Sequence, residues 1–249
     1  MEIHRCRFVP YPPSPINALA FSHTSSAQAQ HKAPADLRLA VGRANGDIEL
    51  WNPLQGTWVY ETTFKGGKDR SIEGLAWVQD PDEADEHGRV IPGRLRLFSI
   101  GDSTYVTEWD LDHGRPLRHS SGNYGEIWCL AAQPRGPLVK KSAANGFEAT
   151  SQEGQDQGQG QDLAVGCADG AIILLSTADN DLKFKRALSR PSAKKARVLS
   201  LTFQGRHMII AGCADSTIRI IDAQAGRLVR NMSLGAGPSG GPREILVWA

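Results

Sequence analysis

With 249 residues, 28 Lys and Arg against 27 Asp and Glu, and a net charge of +1, the chain can bury a sizeable core but is too evenly charged to bind polyanions with its whole surface. No window approaches the ~18 consecutive apolar residues of a membrane helix, and Met1 to Pro13 holds no apolar signal-peptide core, so a soluble intracellular protein is expected. The four cysteines, Cys6, Cys129, Cys167 and Cys213, form no Cys-x-x-Cys pair and adjoin no histidine cluster, which leaves buried structural thiols.

In chain order, Ile3 to Val9 reads as a lone strand, and four similar units follow. The first runs from Ile16 to Phe21, passes a polar loop over Ser22 to Asp36, and continues through Leu39-Ala40-Val41-Gly42-Arg43, the turn Asn45-Gly46, Ile48 to Asn52 and Trp58 to Phe64. The second has Ile72 to Trp77, an acidic loop over about 79–93, Leu97 to Gly101, the turn Ser103-Thr104, a run closing on Glu108-Trp109-Asp110, and Pro116 to His119. The third has Ile127 to Ala132, an insert over about 133–161, Leu163 to Cys167, the turn Asp169-Gly170, a run to Ser176, and Leu182 to Leu188. The fourth comprises Val198 to Phe203, Ile209 to Cys213, the turn Asp215-Ser216, Thr217 to Asp222 and Leu228 to Met232, and a fifth begins at Glu244 to Trp248.

Asn-Gly and Asp-Gly supply the positive φ that a tight hairpin requires, so each unit folds as antiparallel strands. Four strands per unit, with the third closing on Trp-Asn, Trp-Asp or Ile-Asp, is the pattern of WD repeats of ~40–45 residues. The expected fold is therefore all-β: an incomplete WD40 β-propeller of about four four-stranded antiparallel blades and the start of a fifth. Residues 1–249 then form the N-terminal part of a propeller, with its remaining blades and any second propeller absent. Such sheets stay dry only when stacked, so an open arc would expose two apolar faces. Trp51, Trp77, Trp109 and Trp128 are assigned to the packing between blades. All three loops fall between first and second strands and are expected on one rim. The centre of the long one, Ser151 to Gln161, has no apolar residue to bury and is expected to be disordered.

No nucleophile elbow, P-loop, zincin or dinucleotide motif occurs, and the seven histidines stand singly, so no enzyme, metal or cofactor is expected. Gly235 to Gly241 reads as a flexible connector. The best binding candidate is a basic tract of Lys183, Lys185, Arg186, Arg190, Lys194, Lys195 and Arg197, seven cations with no acid between them. Such a field suits phosphate, so contact with an RNA backbone is the functional expectation and a solvated loop the bland one.

Ile3-His4-Arg5-Cys6-Arg7-Phe8-Val9-Pro10, Ile16 to Phe21, the Leu39 to Arg43 run, Leu97 to Gly101 with Glu108 to Leu111, Gly125-Glu126-Ile127-Trp128, Val165 to Gly170 and Arg197 to Leu201 resemble, in order, the N-terminal part of the cirhin family. The resemblance implies a WD-repeat subunit of the UTP-A subcomplex of the small-subunit processome, with two tandem propellers and a helical C-terminal part. It implies a nucleolar scaffold that meets other UTP-A subunits and the 5′ external spacer of pre-rRNA, and that supports small-subunit rRNA maturation without catalysis. The alternatives are a generic WD-repeat adaptor binding peptides in chromatin or ubiquitin-ligase assemblies, and a propeller hydrolase, for which no convergent acid set is present.

Overall fold

The computed structural model describes residues 14–23, 37–54, 57–67, 70–84, 90–120, 125–135, 160–189, 196–235 and 245–247. The expected strand at Ile3 to Val9, the centre of the long insert, and Arg190, Lys194 and Lys195 lie outside them. The described residues are all-β apart from a 3-10 turn at Ala178–Asn180.

The first sheet holds β1 (Ile16–Phe21), β2 (Leu39–Arg43), β3 (Ile48–Leu54) and β4 (Thr57–Phe64). The second holds β5 (Gly74–Gln79) and then, beyond the short pair β6 (Glu83–Ala84) and β7 (Val90–Ile91), β8 (Leu95–Ile100), β9 (Thr107–Asp110) and β10 (Arg115–His119). The third holds β11 (Ile127–Ala132), β12 (Leu163–Cys167), β13 (Ile172–Ser176) and β14 (Lys183–Ser189), and the fourth β15 (Val198–Gln204), β16 (Met208–Cys213), β17 (Thr217–Asp222) and β18 (Arg227–Ser233). Every sheet is antiparallel with its four strands side by side in chain order, as the repeat predicts. Within the acidic loop β6 and β7 pair Glu83 with Ile91 and Ala84 with Val90.

Local chemistry accounts for the hairpins. Gly46 and Gly170 take φ of 85° and 86° at the second-to-third-strand turns, and Ser216 takes 64° at the equivalent place in the fourth sheet. The core lies between the sheets rather than within any one of them. Ala40, Ile48, Leu50 and Phe64 pack on Ile72, just before the second sheet, and on Trp77, Leu97 and Trp109 within it. Val78, Phe98 and Ile100 meet Ile127, Leu163 and Leu175 of the third, whose Ile172, Leu174 and Leu188 meet Val198, Phe203 and Ile221 of the fourth. Strands β8 and β12, covered on both faces, are buried at every position. The innermost strands β1, β5, β11 and β15 lie side by side in succession. Among the described residues the four blades thus make an open arc, and Val247 donates its N–H to Ser200 Oγ at 2.7 Å where the chain runs on past blade 4.

Candidate nucleic-acid interface

Three of the seven tract cations lie on β14, the outer strand of blade 3. Lys183 Nζ meets Asp181 Oδ2 at 2.8 Å, and this bond, with the Leu182 N–H next, holds the Asp181 carboxyl at about 2. Lys185 Nζ meets Asp162 Oδ2 at 2.6 Å, and Arg186 Nη1 donates to the Gln224 carbonyl of blade 4 at 3.0 Å. Arg197 stands just before β15, with its guanidinium carbon 3.8 Å from the centre of the Trp128 ring in blade 3. Arg190, Lys194 and Lys195 are not among the described residues.

The tract is therefore spread along a blade. Lys183 and Ser189, at the two ends of β14, are separated by six residue steps, about 20 Å of extended chain. Lys183 and Lys185 group at the start of that strand beside two carboxylates from other elements, whereas Arg197 follows its far end. The absence of acids within the tract says nothing of Asp181, two residues before it, or of Asp162, which folding brings alongside Lys185 from 23 residues away. Two aromatics also join the surface: Phe184, between Lys183 and Lys185, is 51% exposed, and Trp128 is 39% exposed.

The position of Trp128 corrects its assignment to the core. Trp77 and Trp109 are buried and satisfied, Trp77 Nε1 donating to the Ala20 carbonyl at 3.0 Å and Trp109 Nε1 to Ser99 Oγ at 2.8 Å. Trp51 is half-buried, edge-on to Tyr60 with ring centres 5.5 Å apart. At Trp128 the register with β12 shifts between Ile127 and Cys129; this bulge takes the indole out of the ladder's alternation while Ile127 occupies the buried place. The same shift recurs at the start of the innermost strand in blades 1 and 4, at Asn17 and Leu199, so the bulge belongs to the repeat and the large aromatic at it is particular to blade 3.

Two of the four thiols behave as expected of buried structural cysteines, whereas Cys129 is half-buried and Cys6 lies outside the described residues. Cys167 and Cys213 are fully buried; burial, with Asp169 adding to it, pushes the Cys167 thiol up to about 12, and burial raises Cys213 as well. Such groups stay protonated and are poor nucleophiles. Among the described residues no three His, Cys, Asp or Glu side chains converge on a common metal position. No helix among them is long and apolar enough to cross a membrane.

Four antiparallel four-stranded sheets, closed by tight turns and dry only where they stack, place the chain in the class of WD-repeat β-propeller proteins. No protein-family model matches it. Over its whole length, however, the chain is 39% identical to the U3 small nucleolar RNA-associated protein 4 of Saccharomyces cerevisiae and 38% identical to the protein of that name in Schizosaccharomyces pombe. Over 99% of its length it is 27% identical to the U3 small nucleolar RNA-associated protein 4 homolog of Homo sapiens. It spans 27%, 30% and 28% of the lengths of these three relatives.

Proposed function

We propose that the chain is part of a non-enzymatic scaffold in ribosome biogenesis, a nucleolar WD-repeat subunit of the UTP-A subcomplex of the small-subunit processome. In this reading it meets other UTP-A subunits and the 5′ external spacer of pre-rRNA, and it supports small-subunit rRNA maturation by holding components together. The observation that carries the proposal is the whole-chain likeness to proteins named for association with the U3 small nucleolar RNA. The fold supports it physically, because stacked blades present rims and loops for contact.

Within this role the cations at and beyond the end of β14 serve as a phosphate contact, which makes binding salt-dependent. Replacing Arg190, Lys194, Lys195 and Arg197 by Ala is expected to weaken RNA binding and to flatten its salt dependence, by roughly 0.7 in log–log slope for each single-strand phosphate that is no longer neutralised. The decisive experiment is crosslinking of the tagged full-length protein in cells, followed by sequencing of the bound RNA. Enrichment of U3 RNA and of the 5′ external spacer, with unprocessed pre-rRNA accumulating on depletion, is the expected result. Absence of both RNAs, with peptide partners recovered instead, would identify a general WD-repeat adaptor.

A further inference from the structure

We infer that Trp128 and Arg197 form a stacking platform for an unpaired base of single-stranded RNA, placed where the innermost strands of blades 3 and 4 begin. The inference deepens the function proposed above and rests on direct contact with RNA.

Three observations converge on the platform. A bulge removes Trp128 from the ladder and leaves a large aromatic 39% exposed, although Trp77 and Trp109 find buried places between blades. The Arg197 guanidinium, brought from the next blade, covers part of the ring at 3.8 Å. No carboxylate among the described residues pairs with Arg197, so its positive charge is available to a ligand. The acids of the nearby turns keep their charge but are turned to their own loops, Asp169 Oδ1 accepting from the Ala171 N–H at 3.0 Å and Asp215 lying 3.8 Å from Arg219 Nη2.

An exposed aromatic beside an unneutralised arginine is the pairing that single-stranded RNA uses: the ring stacks a splayed base, and the cation meets its phosphate. Charge favours RNA over a protein partner at the platform itself, because Arg197 is exposed and has no carboxylate partner among the described residues, which suits a ligand that carries phosphate. Stacking of this kind tolerates any base, since every base offers a π face. The platform is thus expected to prefer unpaired RNA to duplex, whose bases are already stacked.

The test uses the purified full chain, a short labelled oligouridylate and a duplex RNA of equal length, with binding followed by fluorescence anisotropy over a salt series. Trp128→Leu is expected to weaken oligouridylate binding roughly 10-fold while the salt slope stays unchanged, and Trp128→Phe to restore most of the loss. Arg197→Gln is expected to lower the slope by roughly 0.7, and duplex binding to move little in any variant. Ultraviolet crosslinking of the unmodified protein, with the adduct mapped by mass spectrometry to Trp128, supplies a readout that does not depend on a variant folding. Unchanged oligouridylate affinity in Trp128→Leu, an equal loss for single strand and duplex, or an adduct confined to other residues overturns the platform. So does a Trp128→Leu variant that keeps its RNA affinity but loses a partner subunit, since the surface is then a protein interface. If the unmodified chain binds neither RNA, direct RNA contact itself fails; if it binds both as the Leu variant does, only the platform fails.

Discussion

Arg96 and Glu108, each 1% exposed, meet fork to fork, Nε to Oε1 at 2.7 Å and Nη2 to Oε2 at 2.9 Å. The same guanidinium reaches into blade 3, Nη1 donating to the Thr177 carbonyl at 2.6 Å and Nη2 to the Asp181 carbonyl at 2.9 Å. Burial opposes the charge on Arg96, but the Glu108 carboxylate outweighs it and leaves the guanidinium's pKa raised. One side-chain pair thus joins two strands of blade 2 to the turn before the outer strand of blade 3. Glu108→Gln leaves the buried Arg96 with only one carboxylate, Asp80 Oδ1 at 3.4 Å, takes the carboxylate from Arg118 Nε at 3.1 Å as well, and is expected to cost about 3–5 kcal/mol in urea titration. Replacing both, with Arg96→Met and Glu108→Leu, is expected to cost less, because the buried guanidinium goes with its partner and Arg118 keeps Asp181 Oδ1 at 3.4 Å. A single Gln variant as stable as the parent would show that the pair does not hold the blades. The pair is invisible in the sequence: Glu108 reads there only as the residue before Trp109-Asp110, and the Thr177 contact spans 81 residues.

Each element's identity is set locally, which is why the order of strands is legible from turn chemistry and alternation while the contacts between blades are not. The recurrent glycine in the second strand shows the limit. Gly42, Gly166 and Gly212 are visible as a repeat, but their reason lies in the following chain segment: Ile72 packs on Gly42, Val198 on Gly166, and the Ile245 carbonyl on Gly212. In blade 2 the sizes are exchanged across the ladder, Ile100 standing on the second strand opposite Gly74 on the first, with Leu130 of blade 3 closing on that glycine. A Cβ on Gly166 would lie 2.6 Å from Val198 Cγ1 and 2.7 Å from Cys129 Sγ, so Gly166→Ala is expected to destabilise by ~1–3 kcal/mol through overpacking. Gly67→Ala, which meets only the Arg70 side chain at 3.7 Å, is expected to stay within about 0.5 kcal/mol. Equal midpoints for the two variants in thermal unfolding would refute the close-packing account. The ends of the long insert illustrate the same limit. Gln161, counted with the polar insert in the sequence, accepts from the Gln79 N–H at 2.7 Å and donates to the Gln133 carbonyl, while Gln133 Nε2 reaches the Arg206 carbonyl of blade 4 at 2.6 Å. A glutamine reads as solvent-facing until a neighbouring blade supplies its partners.

At the scale of the whole molecule, an arc of stacked sheets has two unlike ends. On blade 1, Ile16, Leu19, Phe21, Trp58 and Tyr60 are between 48% and 61% exposed, and Phe21 and Trp58 already touch each other with ring centres 6.0 Å apart. On blade 4, Ile210, Ile218 and Ile220 alternate with the buried Ile209, Arg219 and Ile221 and are only half-buried on the face turned from blade 3. Contact between the two ends would be head-to-tail rather than self-complementary, and such contact grows into open chains unless its rotation closes a ring. The 249-residue chain by itself is therefore expected to associate with rising concentration in sedimentation velocity. Leu19→Lys with Phe21→Lys, both outside the three inter-blade clusters, is expected to suppress that association and to leave the unfolding midpoint nearly unchanged. Association that persists in the double variant would mean that another surface drives it, and a fall in midpoint would mean that β1 depends on these side chains. The same comparison bears on the scaffold reading, because only a face that is dispensable for folding is free to be covered by other blades.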